Sequence, residues 1–174
     1  MTLQSDDAQI EQAAFRESFE AFYVREVRSV VGLAFVLSGS ARAAEDLAHD
    51  AFLKAYRNWH RISAYDDPGG WVRRVVSNES VSQFRRLAAE ARALVRLRGE
   101  SHVVPEVDPN AVRLWEEVRR LPARQAQVIA LRYYDQRSNA EIAEIFGCSI
   151  TTVKTHLQRA RETLARRLEE EKPK

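Results

Sequence analysis

A chain of 174 residues, 45% hydrophobic and 30% charged, has the length and balance of a folded soluble protein with one medium or two small domains. Its net charge of +2 hides a segregation: residues 1–50 carry nine acids against four arginines, and residues 71–98 carry seven arginines against two acids, which favours one surface for a basic partner and another for phosphates. The single cysteine, Cys148, excludes an intramolecular disulfide, and with neither a signal-peptide pattern nor an apolar run of about 20 residues the expected home is the cytoplasm, without membrane insertion.

Six glycines, five prolines, abundant Ala, Arg, Glu and Leu, and no sustained alternation of apolar with polar residues predict an all-α fold. Between Ile10 and Leu37, Phe15, Phe19, Phe22, Tyr23, Val27, Val30, Val31, Ala34 and Phe35 recur at helical spacing, predicting one or two packed helices with an aromatic core. Ser38–Ser40 reads as a turn in which Ser40 caps the next helix, Ala41 to about Trp59. There Leu47, Ala51, Ala55 and Trp59 form one stripe, flanked by Phe52 and Tyr56, and Asp46, His49 and Asp50 share a neighbouring face. His60–Gly70 reads as a loop ending in Asp67 and Pro68, an N-cap and first-turn pair. The following helix has Trp71, Val72, Val75, Val76, Val81, Phe84 and Leu87 as its apolar positions and offers Arg74, Asn78, Ser82, Arg85 and Arg86 on its exposed side, groups suited to bases and phosphates.

Residues 99–109, GESHVVPEVDP, break the helical period and read as a linker. Residues 88–108 extend to at most about 70 Å, enough for two domains to reach sites about two duplex turns apart. Asp108 and Pro109 start a further helix, Leu121–Pro122 ends it, and ARQAQVIALRYY leads into the last motif.

That motif, Ser138–Leu168, has the form of a helix-turn-helix. Ser138 and Glu141 make a capping box, Ile142, Ala143, Ile145 and Phe146 an apolar stripe, and Gly147 a left-handed stop. Ser149 caps the second helix, in which Val153, Leu157, Ala160 and Leu164 fall on one face. At 100° per residue, Thr151, Thr155, Gln158 and Arg159 lie opposite that stripe, with Thr152 and Lys154 on its flanks. The alternative is an ordinary helical hairpin with a solvated polar face; duplex binding accounts for the turn and the cationic face together.

No catalytic machinery is expected, because glycine-rich phosphate loops, nucleophile elbows and Cys/His signatures are absent from the sequence. Asp46, His49 and Asp50 have metal-ligand spacing, but His60, His102 and His156 are scattered, so a solvated or partner-docking acidic face is the expectation, with no metal and no cofactor.

Three stretches, AEDLAHDAFLKAYRNW at 44–59, WVRRVVSNESVSQFRR at 71–86 and LPARQAQVIALRYYDQRSNAEIAEIFGCSITTVKTHLQRARETL at 121–164, occur in this order across a linker. Together they resemble the extracytoplasmic-function (ECF) sigma factors of bacterial RNA polymerase, in the sigma-70 superfamily. The TVKTHL core alone is equally similar to response-regulator output domains. The resemblance implies a region 2 domain at 1–90, a linker at 91–108 and a region 4 helix-turn-helix domain at 109–174. It implies that Asp46, Asp50, Phe52, Lys54 and Arg57 bind core RNA polymerase. It implies that the loop from Ile62 to Asp67, with Ile62, Ser63 and Tyr65, captures a flipped base of the minus-ten element, and that Asn78 reads that element. It further implies that Lys154, Thr155 and Gln158 contact minus-thirty-five bases, that Arg132 and Arg159 contact phosphates, and that an anti-sigma factor occludes both DNA faces. Glu79, directly after Asn78, and the pair Gly69 and Gly70 depart from the family pattern. The alternatives are a stand-alone helix-turn-helix regulator of the response-regulator output type, which has no need of residues 41–86, and an all-helical adaptor for an acidic protein.

Overall fold

The structure, a computed structural model, describes residues 17–94 and 109–170. Every regular element among them is a helix: α1 Phe19–Ser38, α2 Ala41–Arg57, α3 Trp59–Ile62, α4 Pro68–Leu94, α5 Pro109–Arg119, α6 Ala123–Tyr133, α7 Asn139–Phe146 and α8 Ile150–Glu170. The expectations for residues 10–16, for the linker at 99–108 with its Asp108 cap, and for Lys172–Lys174 lie outside the described residues.

Local chemistry sets the helix ends. Ser18 Oγ accepts from the Ala21 N–H at 3.2 Å to start α1, and Gly39, at φ 77°, ends it with its N–H on the Phe35 carbonyl. Ser40 caps α2 as the sequence predicts. That helix stops at Arg57 rather than Trp59, because Asn58 turns its side-chain amide back onto the Lys54 carbonyl at 2.9 Å. Trp59 then opens the short α3 within the predicted loop, its indole N–H donating to the Glu17 carbonyl at 3.2 Å. Asp67 Oδ1 accepts from the Gly70 N–H at 2.8 Å, so Asp67 and Pro68 start α4 as expected.

Helices α1 to α4 enclose one core, in which Phe22, Val30, Ala34, Ala44, Ala51, Ala55, Ile62, Val72 and Val76 are fully buried. Each large side chain there contributes about 1.5–3 kcal/mol on leaving water. A second core joins Val118, Leu121, Leu131, Ile142, Val153 and Leu157 of α5 to α8 to Leu33, Val36 and Leu37 of α1 and Val81 of α4. The N-terminal and C-terminal helices therefore share buried surface.

Polar groups complete this seam. Arg73 of α4, only 3% exposed, donates to Asp135 at 2.6 and 3.3 Å, to Glu26 at 2.7 Å and to Ser29 Oγ at 2.8 Å. Gln127 Nε2 donates to the Ser77 carbonyl at 3.2 Å and to Asn78 Oδ1 at 3.0 Å. Arg119 Nη1 donates to the Val36 carbonyl at 3.1 Å, near the C-terminus of α1. Gly32 sits in the interior of α1, where glycine costs about 1 kcal/mol relative to alanine. A Cβ there would lie 1.6 Å from the phenol oxygen of Tyr134, so the missing side chain leaves room for the C-terminal helices.

Candidate functional site

The helix-turn-helix is α7, the turn at Gly147 to Ser149, and α8. Ser138 Oγ accepts from the Glu141 N–H at 3.2 Å, and Glu141 Oε2 accepts from the Ser138 N–H at 2.8 Å, closing the predicted capping box. Gly147 takes φ 62°, and Ser149 Oγ accepts from the Thr152 N–H at 3.1 Å. The stripe of Val153, Leu157, Ala160 and Leu164 is buried against α6 and α7, so the opposite face turns outward. Thr151, Thr152, Lys154, Gln158 and Arg159 are exposed and Thr155 is half-exposed. Three of these groups are already engaged: Gln158 Nε2 donates to Glu162 at 3.0 Å, Thr155 Oγ1 to the Thr151 carbonyl at 2.9 Å, and the Thr152 and Ser149 hydroxyls share a hydrogen bond at 2.8 Å. Cys148, half-buried, packs against the core beside the turn.

Removing the Ser138 cap has a calculable cost. Ser138→Ala is expected to lower stability by about 1 kcal/mol, read as a shift of the urea midpoint. The Ser138 backbone N–H and hydroxyl, then Arg137, hold the Glu141 carboxyl down at about 2 against an ordinary 4.5. A lowered carboxyl contributes stability above pH 4.5 and loses it as pH falls toward 2. The midpoints of wild type and Glu141→Gln are therefore expected to converge across that window.

Cations gather beside the recognition face. Arg132 is exposed at the end of α6, with Nη1 on the Arg137 carbonyl at 3.0 Å. Arg124 stacks over the Phe146 ring at 4.1 Å. Burial, then the charges of Arg124 and Arg159, push the His156 imidazole below its usual range. Arg124 and His156 escape a sequence reading because their helices meet only after folding.

On α4, Arg74, Asn78, Ser82, Arg85 and Arg86 are exposed along one side, as the periodicity predicts. Ser82 Oγ donates to the Asn78 carbonyl at 2.9 Å. Glu79 accepts an ion pair from Lys54, linking α2 to α4 and neutralising the acid that follows Asn78. In the preceding loop Tyr65 is exposed and Ser63 half-buried. Ile62 differs from expectation: it is 0% exposed in the N-terminal core and shapes the loop from beneath, with no surface for a base.

Along α2, Asp46, Asp50, Lys54 and Arg57 are exposed. Phe52 also departs from expectation, being 3% exposed and packed edge-on against Phe22 and Tyr23 at 6.0 and 4.9 Å. Its rim borders an apolar groove of about 620 Å³ lined by Phe19, Tyr23, Val24, Leu53 and Tyr56. Tyr23, Val24 and Tyr56 are large and exposed, although helical spacing groups Tyr23 with the core residues of α1. One signal was available: Tyr56 lies beside the stripe of α2, and Val24 is off the stripe of α1. No helix among the described residues is long and apolar enough to cross a membrane.

Comparison with known proteins follows the same division. Residues 22–90 match the family Sigma-70 region 2, and residues 111–164 match the family Sigma-70, region 4. The chain is 30% identical over 128 residues to the RNA polymerase sigma-E factor of Streptomyces antibioticus, covering 72% of this chain and 71% of that one. It is 29% identical over 151 residues to the ECF RNA polymerase sigma factor SigW of Bacillus subtilis strain 168, covering 78% and 81%. Among solved structures, the sigma factor RpoE of Bartonella quintana, crystallised with the anti-sigma factor NepR, matches with a TM-score of 0.67 and 25% identity over 88% of this chain and 98% of that one.

Proposed function

This chain belongs to the ECF sigma factors of the sigma-70 family and directs transcription initiation by RNA polymerase, and from that premise we propose which surfaces carry each step. Residues 1–90 form the polymerase-docking and minus-ten domain, residues 109–174 the minus-thirty-five domain, and residues 91–108 the connection. The exposed polar face of α8, lying opposite a fully formed apolar stripe, carries the reading.

Asp46, Asp50, Lys54 and Arg57, with the apolar groove beside Phe52, dock on core polymerase. Charged rim residues around an aromatic surface provide both orientation and buried area. Asn78, with Arg74, Ser82, Arg85 and Arg86, faces the minus-ten strand, and Ser63 and Tyr65 flank the extruded base. Unstacking that base costs a few kcal/mol, which aromatic stacking and cationic contacts offset. In the other domain α8 enters the major groove with Lys154, Thr155 and Gln158 toward bases and Thr151, Thr152, Arg132 and Arg159 toward phosphates. The protein catalyses nothing itself; it positions the polymerase, and it works in the cytoplasm where that enzyme is. A stand-alone regulator leaves residues 22–90 without a task.

The test is to mix the purified full chain with core polymerase and measure both complex formation and promoter-selective transcription. A stable complex that transcribes only from selected promoters is expected. Transcription independent of this chain would sink the reading. The similarity to RpoE supports an anti-sigma partner for this chain as well, expected in a pull-down from the unstressed native host. No such partner in that pull-down would remove this part.

A further inference from the structure

We propose that Lys54 governs affinity for the minus-ten strand without touching it: its ammonium masks the carboxylate of Glu79, which otherwise stands at the edge of the DNA-facing side of α4 and repels phosphates. The inference rests on the reading of Asn78 as the residue that faces that strand.

Helix geometry places the carboxylate. Turning about α4 at 100° per residue, Arg74 and Arg85 lie within about 40° of Asn78 on one side, and Ser82, Arg86 and Glu79 follow at about 40°, 80° and 100° on the other. Glu79 is the one acid between Trp71 and Arg86, set among the exposed Arg74, Arg85 and Arg86. Arg86 lies two turns on, a rise of about 10.5 Å. A phosphate held along the stretch from Asn78 to Arg86 is therefore on the order of 10 Å from the Glu79 side chain, within the reach of a charge at about 0.1 M salt. A bare carboxylate at that range offsets much of the pull of one guanidinium.

The mask comes from the neighbouring helix. Lys54 Nζ donates to Glu79 Oε1, an ion pair that crosses from α2 to α4. Lys54 faces this way because it lies about 100° around α2 from Leu53, on the side away from His49, Phe52 and Tyr56, which line the apolar groove with Leu53. Of the charged residues proposed to dock on polymerase, it is therefore the one turned furthest toward the DNA face. Asn58 anchors the backbone beneath it, the side-chain amide donating to the Lys54 carbonyl at 2.9 Å. The two side chains stay 49% and 35% exposed, and an ion pair so exposed adds little to folding. Its effect lies in the field outside the protein: paired, Glu79 presents no net charge to the strand.

The experiment uses the full chain assembled with saturating core polymerase, so that a loss of docking does not enter. The probe is a fluorescent single-stranded oligonucleotide, the non-template strand of a promoter that the wild-type assembly transcribes, and anisotropy reads its binding. Lys54→Gln is expected to weaken binding about threefold or more at about 0.1 M salt, with the loss fading toward about 1 M. Lys54→Arg keeps the mask and is expected to bind as wild type does. Glu79→Gln is expected to bind at least as tightly as wild type, and Lys54→Gln/Glu79→Gln to return to the wild-type affinity, a rescue that a merely structural role for Lys54 would not give. Wild-type affinity in Lys54→Gln overturns the proposal. So does a double variant as weak as Lys54→Gln, since the ammonium would then hold a phosphate itself. An assembly that selects no promoter, or a strand bound equally well by Asn78→Ala, removes the reading of α4 and this inference with it.

Discussion

Arg73→Met is expected to reduce the free energy of unfolding by about 3 kcal/mol, the lower end of what breaking a buried ion pair costs. Arg73 is 3% exposed and donates to two carboxylates and a hydroxyl, Glu26 and Ser29 on α1 and Asp135 just after α6. Methionine keeps the aliphatic stem and removes the charge, which leaves Glu26 with Arg25 and Asp135 with Arg137 as their remaining partners at 2.8 and 2.9 Å. Those pairs are why the expected loss lies at the lower end. Urea denaturation at neutral pH measures it, and a double-mutant cycle with Asp135→Asn should give a coupling above about 0.5 kcal/mol. Acid provides a second check. Burial alone raises the Glu26 carboxyl, but hydrogen bonds from Arg25 and Arg73 outweigh it and hold the group below its ordinary 4.5. A lowered carboxyl contributes stability above pH 4.5 that disappears as pH falls through its folded value, so the gap between wild type and Arg73→Met should narrow on acidification below 4.5. A cost under about 1 kcal/mol at neutral pH would mean the guanidinium is hydrated in solution and the buried network does not hold there.

Local signals carried most of the fold into the sequence. Ser40, Asp67, Ser138 and Ser149 each satisfy a helix start within three residues, and Gly147 ends a helix through its own φ angle. Such interactions depend on neighbours in sequence and are visible as text. The apolar stripe of α8 is legible for the same reason, since one helix fixes the relative angles of Val153, Leu157, Ala160 and Leu164. What the text did not carry was anything set by two helices meeting. In the sequence Arg73 is only one of the seven arginines of residues 71–98, yet folding buries it between Glu26 and Asp135. Ile62 and Phe52 were assigned to surfaces by position in a pattern, and their apolar side chains went to the core, where burial is worth more than contact with a partner at the rim. Glu79 looked like an intrusion beside Asn78 until Lys54, 25 positions away, turned out to neutralise it. The seam itself has no sequence signature, because Gly32, Gln127 and Tyr134 are unremarkable until they touch.

Lys154→Ala and Gln158→Ala are expected to weaken binding of the minus-thirty-five duplex by about 1–3 kcal/mol each, or about 5- to 150-fold, and to relax preference at one base pair. Arg132→Ala and Arg159→Ala should instead weaken all sequences alike and flatten the dependence of log affinity on log salt by about 0.9 per lost phosphate contact. The difference follows from what each group meets: an ammonium or amide in the groove matches a donor and acceptor pattern, while a guanidinium at the backbone meets the same phosphate on every sequence. Gln158 adds a complication that sharpens the test. Its amide is held at 3.0 Å by Glu162, an exposed carboxylate one turn further along α8. Glu162 takes up one of the two amide protons of Gln158 and biases its orientation, so it competes with base readout. Glu162→Ala should therefore raise affinity for every duplex, through lost repulsion, and raise it most where Gln158 finds adenine, whose N6 and N7 match an amide bidentately. Fluorescence anisotropy with duplexes varied one base pair at a time measures all five proteins. If Glu162→Ala improved every duplex by the same factor, Gln158 would be a bystander and base readout would fall to Lys154 and Thr155.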